Sequence, residues 1–424
     1  MQIAIIGAGI SGLLCAYRLA EEFEVSIFER ENYPGGLCSS VSFDNLQIEK
    51  YNHFFSRYDK EIIRVINELG LSGSLSWKKA RQGSIIDGKF FDMSRPLSLF
   101  GLPGINIFER MRFAAFLVKA SIANDGLRFN QQTARVWVEG NCTKNVFERY
   151  FKPLLEFKFQ NYGDVSAGYL WARIKEGKRN DIGALSGGMG VLLESLMDKI
   201  RGRGAKIILG KTIKRIERTL ENKWRLYDNE SFEEFDCVLC CISLKETVRL
   251  CNEELKNILN IPDADYLNAG SYILKLKRPL RQGYWLFVNH KERGLSNVII
   301  DASSVTGNNI VYCRVYRRTG SITERDREKI FNNCLSALRN INPDFDQTWI
   351  EKKMFHADNL VEPVLTNEFI DQLFSGGGRV EGFYLPEAMY ERHLLKTVNT
   401  QAEKAKLIFR MIMERNSNES SNTG

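Results

Sequence analysis

A glycine-spaced loop near the start of the chain, Gly7-Ala8-Gly9-Ile10-Ser11-Gly12, limits the possible folds more than any other stretch. It comes after the apolar run Ile3-Ala4-Ile5-Ile6, which reads as a short buried strand, and it leads into Leu13 to Glu22, which reads as a helix. A second apolar run, Val25-Ser26-Ile27-Phe28, ends in Glu29. Strand, loop, helix, strand and terminal acid in that order predict a βαβ dinucleotide-binding unit. Gly7 allows the tight turn, Gly9 lets the backbone approach a pyrophosphate, and Gly12 lets helix and strand pack closely. Ser11 belongs to the same loop, where the helix N-terminus offers free N–H groups and the positive end of its dipole. Glu29, roughly 20 residues on, is placed to accept hydrogen bonds from a ribose.

The residues after Glu29 narrow the choice of dinucleotide. The chain runs Arg30-Glu31-Asn32-Tyr33-Pro34-Gly35-Gly36-Leu37-Cys38, and Pro34 with the paired glycines predicts a loop rather than a helix. A second glycine pair beside the first suits a long cofactor lying across both, and fits a simple NAD dehydrogenase poorly. Together, Gly7 to Gly12, Glu29 and Gly35-Gly36 resemble the glutathione-reductase-type FAD-binding flavoproteins, in the branch of amine oxidases, protoporphyrinogen oxidases and phytoene desaturases. The resemblance implies an α/β fold: a Rossmann-like glutathione-reductase-type FAD-binding domain with an inserted α+β substrate domain. It implies FAD as cofactor, the acid on the adenosine ribose, and the glycine pair near the pyrophosphate and flavin. Arg30 and Leu37, which flank these positions, join the expected cofactor-binding set. Many amine oxidases have Gly-Gly-Arg where this chain has Gly36-Leu37, which argues against a close copy of the amine-metabolising members.

The expected division is an FAD-binding domain from residues 1–80, 184–260 and 355–413, a substrate domain from 81–183 and 261–354, and a disordered polar tail at 414–424. With 424 residues, 44% hydrophobic and 26% charged, the chain can build a large core. A net charge of +7 permits attraction to anionic substrates or lipid headgroups and is no nucleic-acid signal. Apolar runs of about 18 residues or more are absent, so no membrane span is expected. The first residues enter a strand at once, so no secretory leader is expected either. Nine scattered cysteines suggest no disulfide framework and make a reducing, cytoplasmic setting the default, with a membrane-peripheral location left open. Cys237, Cys240 and Cys241 sit in an apolar strand that splits 237 from 240 across two faces, so no metal site is expected.

Leu46 to Phe55 begins as an alternating strand and ends in an aromatic cluster with His53. His53 reads either as a packed histidine or, as the resemblance implies, as a neighbour of flavin or substrate; His393 carries the same two readings. A helix is expected over Asp59 to Gly70, and a hairpin turning at Asp87-Gly88. Ile107 to Ala120 has helical spacing, read as a core helix or as a surface that dips into a bilayer. Thr133 to Arg179 looks helical, with breaks at Gly140, Pro153 and Gly163-Asp164. Its pattern Tyr150 to Leu155, Lys158-Phe159, Val165 to Ala167 and Leu170 to Arg173 resembles a bacterial protoporphyrinogen-oxidase-like group. Arg173, Lys175, Lys178 and Arg179 read as a solvated face or as contacts to an anionic group.

The return to the cofactor domain is expected at Leu185 to Gly190, where the resemblance puts the backbone of Ile213 against the adenine. Near the end, the family's Gly-Asp pair is represented by Gly382-Phe383, which puts the usual acid contact in doubt and leaves Glu387 as a substitute. A last helix, Gln401 to Met413, comes after Asn399-Thr400 and is expected to point its N-terminus at the flavin. The leading function is an FAD-dependent oxidoreductase (oxidase, dehydrogenase or desaturase) removing hydride equivalents from a C–N or C–C bond of a small organic substrate. The alternatives are a redox-neutral flavin-dependent isomerase or sugar-nucleotide mutase, and a non-catalytic flavin-binding scaffold.

Overall fold

The computed structural model describes residues 1–44, 46–79, 82–86, 89–92, 101–123, 126–176, 181–280, 285–290, 295–303, 307–376, 380–389 and 395–422. Its first unit is a parallel sheet of β1 (Gln2–Ile6), β2 (Glu24–Phe28), β3 (Lys206–Ile208), β4 (Cys237–Cys240) and β5 (Phe383–Tyr384), in the order β5-β4-β1-β2-β3. Buried on both faces, β1 reads as a continuous apolar run, as a central parallel strand must. Ile3 and Ile5 face a helical layer of α1 (Ile10–Leu19), α2 (Lys60–Glu68), α4 (Gly188–Gly202) and α5 (Val398–Asn422). Ala4 and Ile6 face Trp224, Leu226 and Phe235 of the antiparallel strands Arg215–Arg218, Trp224–Tyr227 and Phe232–Phe235. Cys237 packs on the first face and Cys240 on the second, as the strand period requires.

A seven-stranded sheet forms the second unit, in the order Ile350–Pro363, Tyr266–Leu276, Ile310–Arg317, Leu295–Asp301, Trp285–His290, Gln82–Ile86, Lys89–Asp92. One face is covered by the helix Glu324–Ile341 through Phe331, Leu335 and Leu338. A separate helical cluster includes α3 (Ile107–Ile122) and the helices Ala134–Asn141, Lys152–Phe159 and Ala167–Glu176, packed around Phe116, Trp137 and Phe151.

Several boundaries differ from the sequence reading. Ile350–Pro363 pairs along Tyr266–Leu276, so residues 355–363 hydrogen-bond into the seven-stranded sheet rather than the parallel one. The first break of the helical stretch comes at Cys142, not Gly140, which lies inside Ala134–Asn141. Pro153 starts a helix instead of ending one: it occupies the first turn of Lys152–Phe159, directly after a π-helical turn at Phe147–Phe151. The expected tail at 414–424 is helical as far as Asn422. Arg415 holds it, with Nη1 3.1 Å from Cys237 Sγ and Nε 3.4 Å from the Glu381 carboxylate. The strands of the expected hairpin do pair, Ser84 opposite Phe91, while its turn Asp87-Gly88 lies outside the described residues.

Candidate functional site

The loop after β1 has the geometry its glycines predict. Gly7 sits at φ +101° and donates its N–H to Phe28 O at 2.8 Å. A Cβ on Gly12 would stand 2.0 Å from Gly7 O, so only glycine lets α1 start this close to β1. A Cβ on Gly9 would meet nothing within 4 Å. The loop is therefore closed behind and open in front, with Ser11 half-buried at the start of α1, a cradle that fits a phosphate. Glu29 leaves the end of β2 and turns back to it: Oε2 accepts from Ala8 N at 2.7 Å, Oε1 from Glu31 N at 3.0 Å. A carboxylate has further lone pairs for a ligand hydroxyl. Arg30 instead points to solvent, 3.5 Å from Glu31. Lys211 N donates to Glu29 O, which brings the segment before Arg215–Arg218 alongside; in it Ile213 is buried against Ala4 and Phe28.

The second glycine pair lies directly on the first loop. Gly35 N donates to Ala8 O at 2.8 Å, and a Cβ on Gly36 would come 3.3 Å from Gly9 Cα. Gly35 and Gly36 take φ +107° and +55° and lead into the 3-10 turn Gly36–Cys38, which carries half-buried Leu37 and buried Cys38. Here the structure assembles a group that the sequence reading missed. His53 Nδ1 lies 3.3 Å from Glu49 Oε2, the same oxygen accepts from His53 N at 2.6 Å, and the Cys38 thiol hydrogen-bonds the imidazole. Burial opposes a charge on His53, but Cys38 and Glu49 outweigh it and push the imidazole up to about 10. Glu49 Oε1 also accepts from Met189 N in the first turn of α4, tying the strand Leu46–Glu49 to that helix. From the seven-stranded sheet, Arg314 Nη2 donates to Asn52 O at 3.0 Å, and Tyr51 donates to Ala269 O at 3.0 Å. Residues 49–53 thus link α4, which packs on the parallel sheet, to the seven-stranded sheet.

The C-terminal segment departs from expectation. Gly382 lies at the amino end of β5, where its O accepts from Val238 N, and a Cβ there would meet Asp236 O and Trp224 Nε1 at 2.9 Å. That is the edge of the sheet opposite the glycine loop, so Gly382 is not brought to the cradle. Its φ of +76° marks a packing turn. Glu387 comes after the carboxyl end of β5; Oε2 accepts from Leu244 N at 2.7 Å and Tyr266 Oη at 2.8 Å, and Oε1 lies 3.0 Å from Lys396 Nζ. Asn399 and Thr400 turn their side chains to helix ends. Asn399 Oδ1 accepts from Glu61 N and Ile62 N at the start of α2, while Thr400 Oγ1 donates to Leu395 O or Thr397 O. What α5 presents to a cavity beside the loop is Gln401 and Lys404, opposite Ser11, Cys241, Ile242, Glu387 and Lys396. Burial pulls Lys404 down to about 8, with Glu387 opposing and Lys396 reinforcing that shift. His393 lies outside the described residues. Arg173 is paired with Glu176 at 3.1 Å and Lys175 sits over Trp171, while Lys178 and Arg179 also fall outside the described residues. Among the described residues no cluster of His, Cys, Asp and Glu could hold a metal ion, and no helix is long and apolar enough to cross a membrane.

Comparison with known proteins agrees with this architecture. The family model described as flavin containing amine oxidoreductase matches residues 10–374. A putative protoporphyrinogen oxidase from Exiguobacterium sp. 255-15 superposes with a TM-score of 0.72 at 17% identity, over 97% of this chain and 98% of that one. Cyclohexylamine oxidase from Brevibacterium oxydans IH-35A gives 0.70 at 16% identity, over 97% and 99%. At these identities the likeness shows the fold. Among curated proteins, thiamine thiazole synthase from Thermotoga maritima is 33% identical over 95 residues, 20% of this chain and 38% of that protein. A 1-hydroxycarotenoid 3,4-desaturase from Flavobacterium sp. (strain P99-3) is 20% identical over 287 residues, 59% of this chain and 58% of that protein.

Proposed function

The chain belongs to the flavin containing amine oxidoreductase family and is an FAD-dependent oxidoreductase, and on that premise we propose that it removes hydride equivalents from a C–N or C–C bond of a small organic substrate. The observation that carries this reading is the double glycine cradle, open at Gly9 and bordered by the Glu29 carboxylate, with Gly35-Gly36 leading from it to His53. The similarity to a cyclohexylamine oxidase supports a C–N bond and the similarity to a carotenoid desaturase a C–C bond.

In this reading Glu29 holds the adenosine ribose, and Gly7, Gly9, Ser11 and Gly12 hold the pyrophosphate against the N-terminus of α1. The backbone at Ile213 borders the adenine, and Gly35, Gly36 and Leu37 border the flavin. Asn399 and Thr400 act indirectly, by fixing where α5 begins. When bound, FAD supplies the hydride acceptor. His53, charged and clamped by Glu49 and Cys38, holds a proton at the flavin edge, where it offers a hydrogen bond to anionic substrate or to negative charge developing nearby. The seven-stranded sheet and the helical cluster around α3 form the substrate side and shield the reaction from water. On α3, Ile107, Phe108, Met111, Val118 and Ile122 are exposed beside Arg112 and Lys119, which supports peripheral contact with a membrane.

The test begins with the absorption spectrum of protein reconstituted with FAD, followed by anaerobic mixing with primary amines and, separately, with polyenes. Bleaching of the flavin by members of one class is the expected result. A protein that binds no FAD would overturn the reading, and so would turnover that needs prereduced flavin with no net electron transfer.

A further inference from the structure

Glu49 ends the strand Leu46–Glu49 and holds two partners at once. Its Oε1 accepts from Met189 N at 3.1 Å, in the first turn of α4, a 15-residue helix whose N-terminus favours negative charge. Its Oε2 accepts from His53 N at 2.6 Å and lies 3.3 Å from His53 Nδ1. The start of α4 is shaped to this carboxylate: Gly188 takes φ +71°, and a Cβ there would come 3.4 Å from Glu49 Oε1. Glu49 and His53 expose only 13% and 20% of their side chains, so solvent screens the pair little. The backbone between them is held from the seven-stranded sheet, where Tyr312 donates to Glu49 O at 3.3 Å and Arg314 to Asn52 O at 3.0 Å. A glutamine at this position could still accept from Met189 N. Only a carboxylate accepts on both oxygens and sets negative charge against the imidazole.

We propose that Glu49 is a positioning residue for the reaction: anchored on α4, it fixes the His53 ring and its charge, and through that ring favours the negative charge that reduction brings to the flavin. The inference rests on the reading of Gly35-Gly36 as the flavin side of the cradle and deepens it. The Cys38 thiol hydrogen-bonds the imidazole from the turn Gly36–Cys38, which sets His53 against that glycine pair. Burial is the strongest influence on His53 and acts against its charge; Cys38 and then Glu49 reverse it and push the imidazole up to about 10. Removing the carboxylate takes away one of the two groups that oppose burial. A cation already fixed where charge develops stabilises that charge without reorganisation. The other charged or titratable groups around His53 are Lys50, Tyr51, Tyr312 and Arg314. Lys50 Nζ is turned to Tyr33 Oη at 3.1 Å, and Arg314 to Asn52. Burial pushes both phenols up, with Asp358 adding to Tyr51 and Glu49 to Tyr312, so both stay neutral in this range. From α4 the contact is the Met189 N–H.

The experiment has two readouts. Long-range proton–nitrogen NMR of the apoprotein, which has four histidines, follows the His53 ring between about pH 6 and 10.5, with the signal assigned by its loss in His53→Gln. The wild-type ring should keep its proton past about pH 8, and in Glu49→Gln it should titrate at least about one unit lower. In the FAD-loaded protein, the flavin midpoint potential is measured by dye equilibration at about pH 9, where the wild-type ring keeps most of its proton. It should fall in Glu49→Gln and in His53→Gln, and adding Glu49→Gln to His53→Gln should lower it no further. A merely structural Glu49 would move the melting temperature and neither of these. Equal titration of the ring in wild type and Glu49→Gln overturns the inference, as does a potential that Glu49→Gln lowers equally in the His53→Gln background. A wild-type ring that titrates at or below the ordinary ~6.5 overturns it with no variant needed. If the ring titrates as expected but His53→Gln leaves the potential unchanged, the reading of Gly35-Gly36 as the flavin side falls and takes the inference with it.

Discussion

Single residues divide into those whose spacing in sequence fixes their role and those whose role depends on distant partners. Gly7, Gly9, Gly12 and Glu29 were legible because turn, close approach and helix packing each demand a glycine at a set offset, and the structure puts the acid 2.7 Å from Ala8 N. Replacing Glu29 with Ala should lower FAD affinity about tenfold or more, read by fluorescence titration; unchanged affinity would argue against the ribose contact. Gly382 was misread because Gly-Phe looked like the remnant of a Gly-Asp pair, and nothing local showed which end of β5 it would occupy. Cys38 and Glu49 carry no such local signal, since they matter only once folding brings them to His53. The His53 cluster gives a prediction with a definite sign. Its folded value of about 10 lies above the ordinary ~6.5, so its stabilisation is complete below about pH 6.5 and is lost as pH rises toward 10. The gap in Tm between wild type and His53→Ala should therefore close across that window. A gap that widens with pH would contradict the clamp.

At the scale of elements, apolar periodicity found most strands and helices, and failed where tertiary contacts decide. α5 runs on to Asn422 because Arg415 is tied to Cys237 and Glu381, contacts that a polar tail sequence does not advertise. The segment at Pro153 looked broken because proline disfavours helix interiors, yet the first turn of a helix tolerates it. α3 carries both a core face and an exposed apolar face, and the membrane reading of the second remains a proposal. Phe113 and Phe116 enter the core, while Phe108 is 75% and Ile122 73% exposed on the same helix. If that face meets a membrane, Phe108→Glu with Met111→Glu should cut cosedimentation with anionic vesicles several-fold and leave the melting temperature within about a degree, since exposed positions contribute little to stability. Equal binding by wild type and variant would show that this face does not meet a membrane.

For the whole molecule, the first forty residues predicted the parallel sheet and its cofactor. They could not predict the seven-stranded sheet, because it depends on pairings between residues far apart, such as Tyr266–Leu276 with Ile350–Pro363. The seven-stranded sheet reaches the His53 segment where Arg314 donates to Asn52. Glycine motifs name a cofactor and leave the substrate open, because they fix only the backbone around the phosphate loop. In the proposed reaction a C–H bond of the substrate is broken as the flavin is reduced. Anaerobic stopped-flow reduction of the FAD-loaded protein, by a bleaching substrate with and without deuterium at the oxidised carbon, tests it most directly. Single-turnover bleaching should slow several-fold with deuterium; bleaching at the same rate, or product formed with the flavin left oxidised and no acceptor consumed, would rule out hydride removal by the flavin.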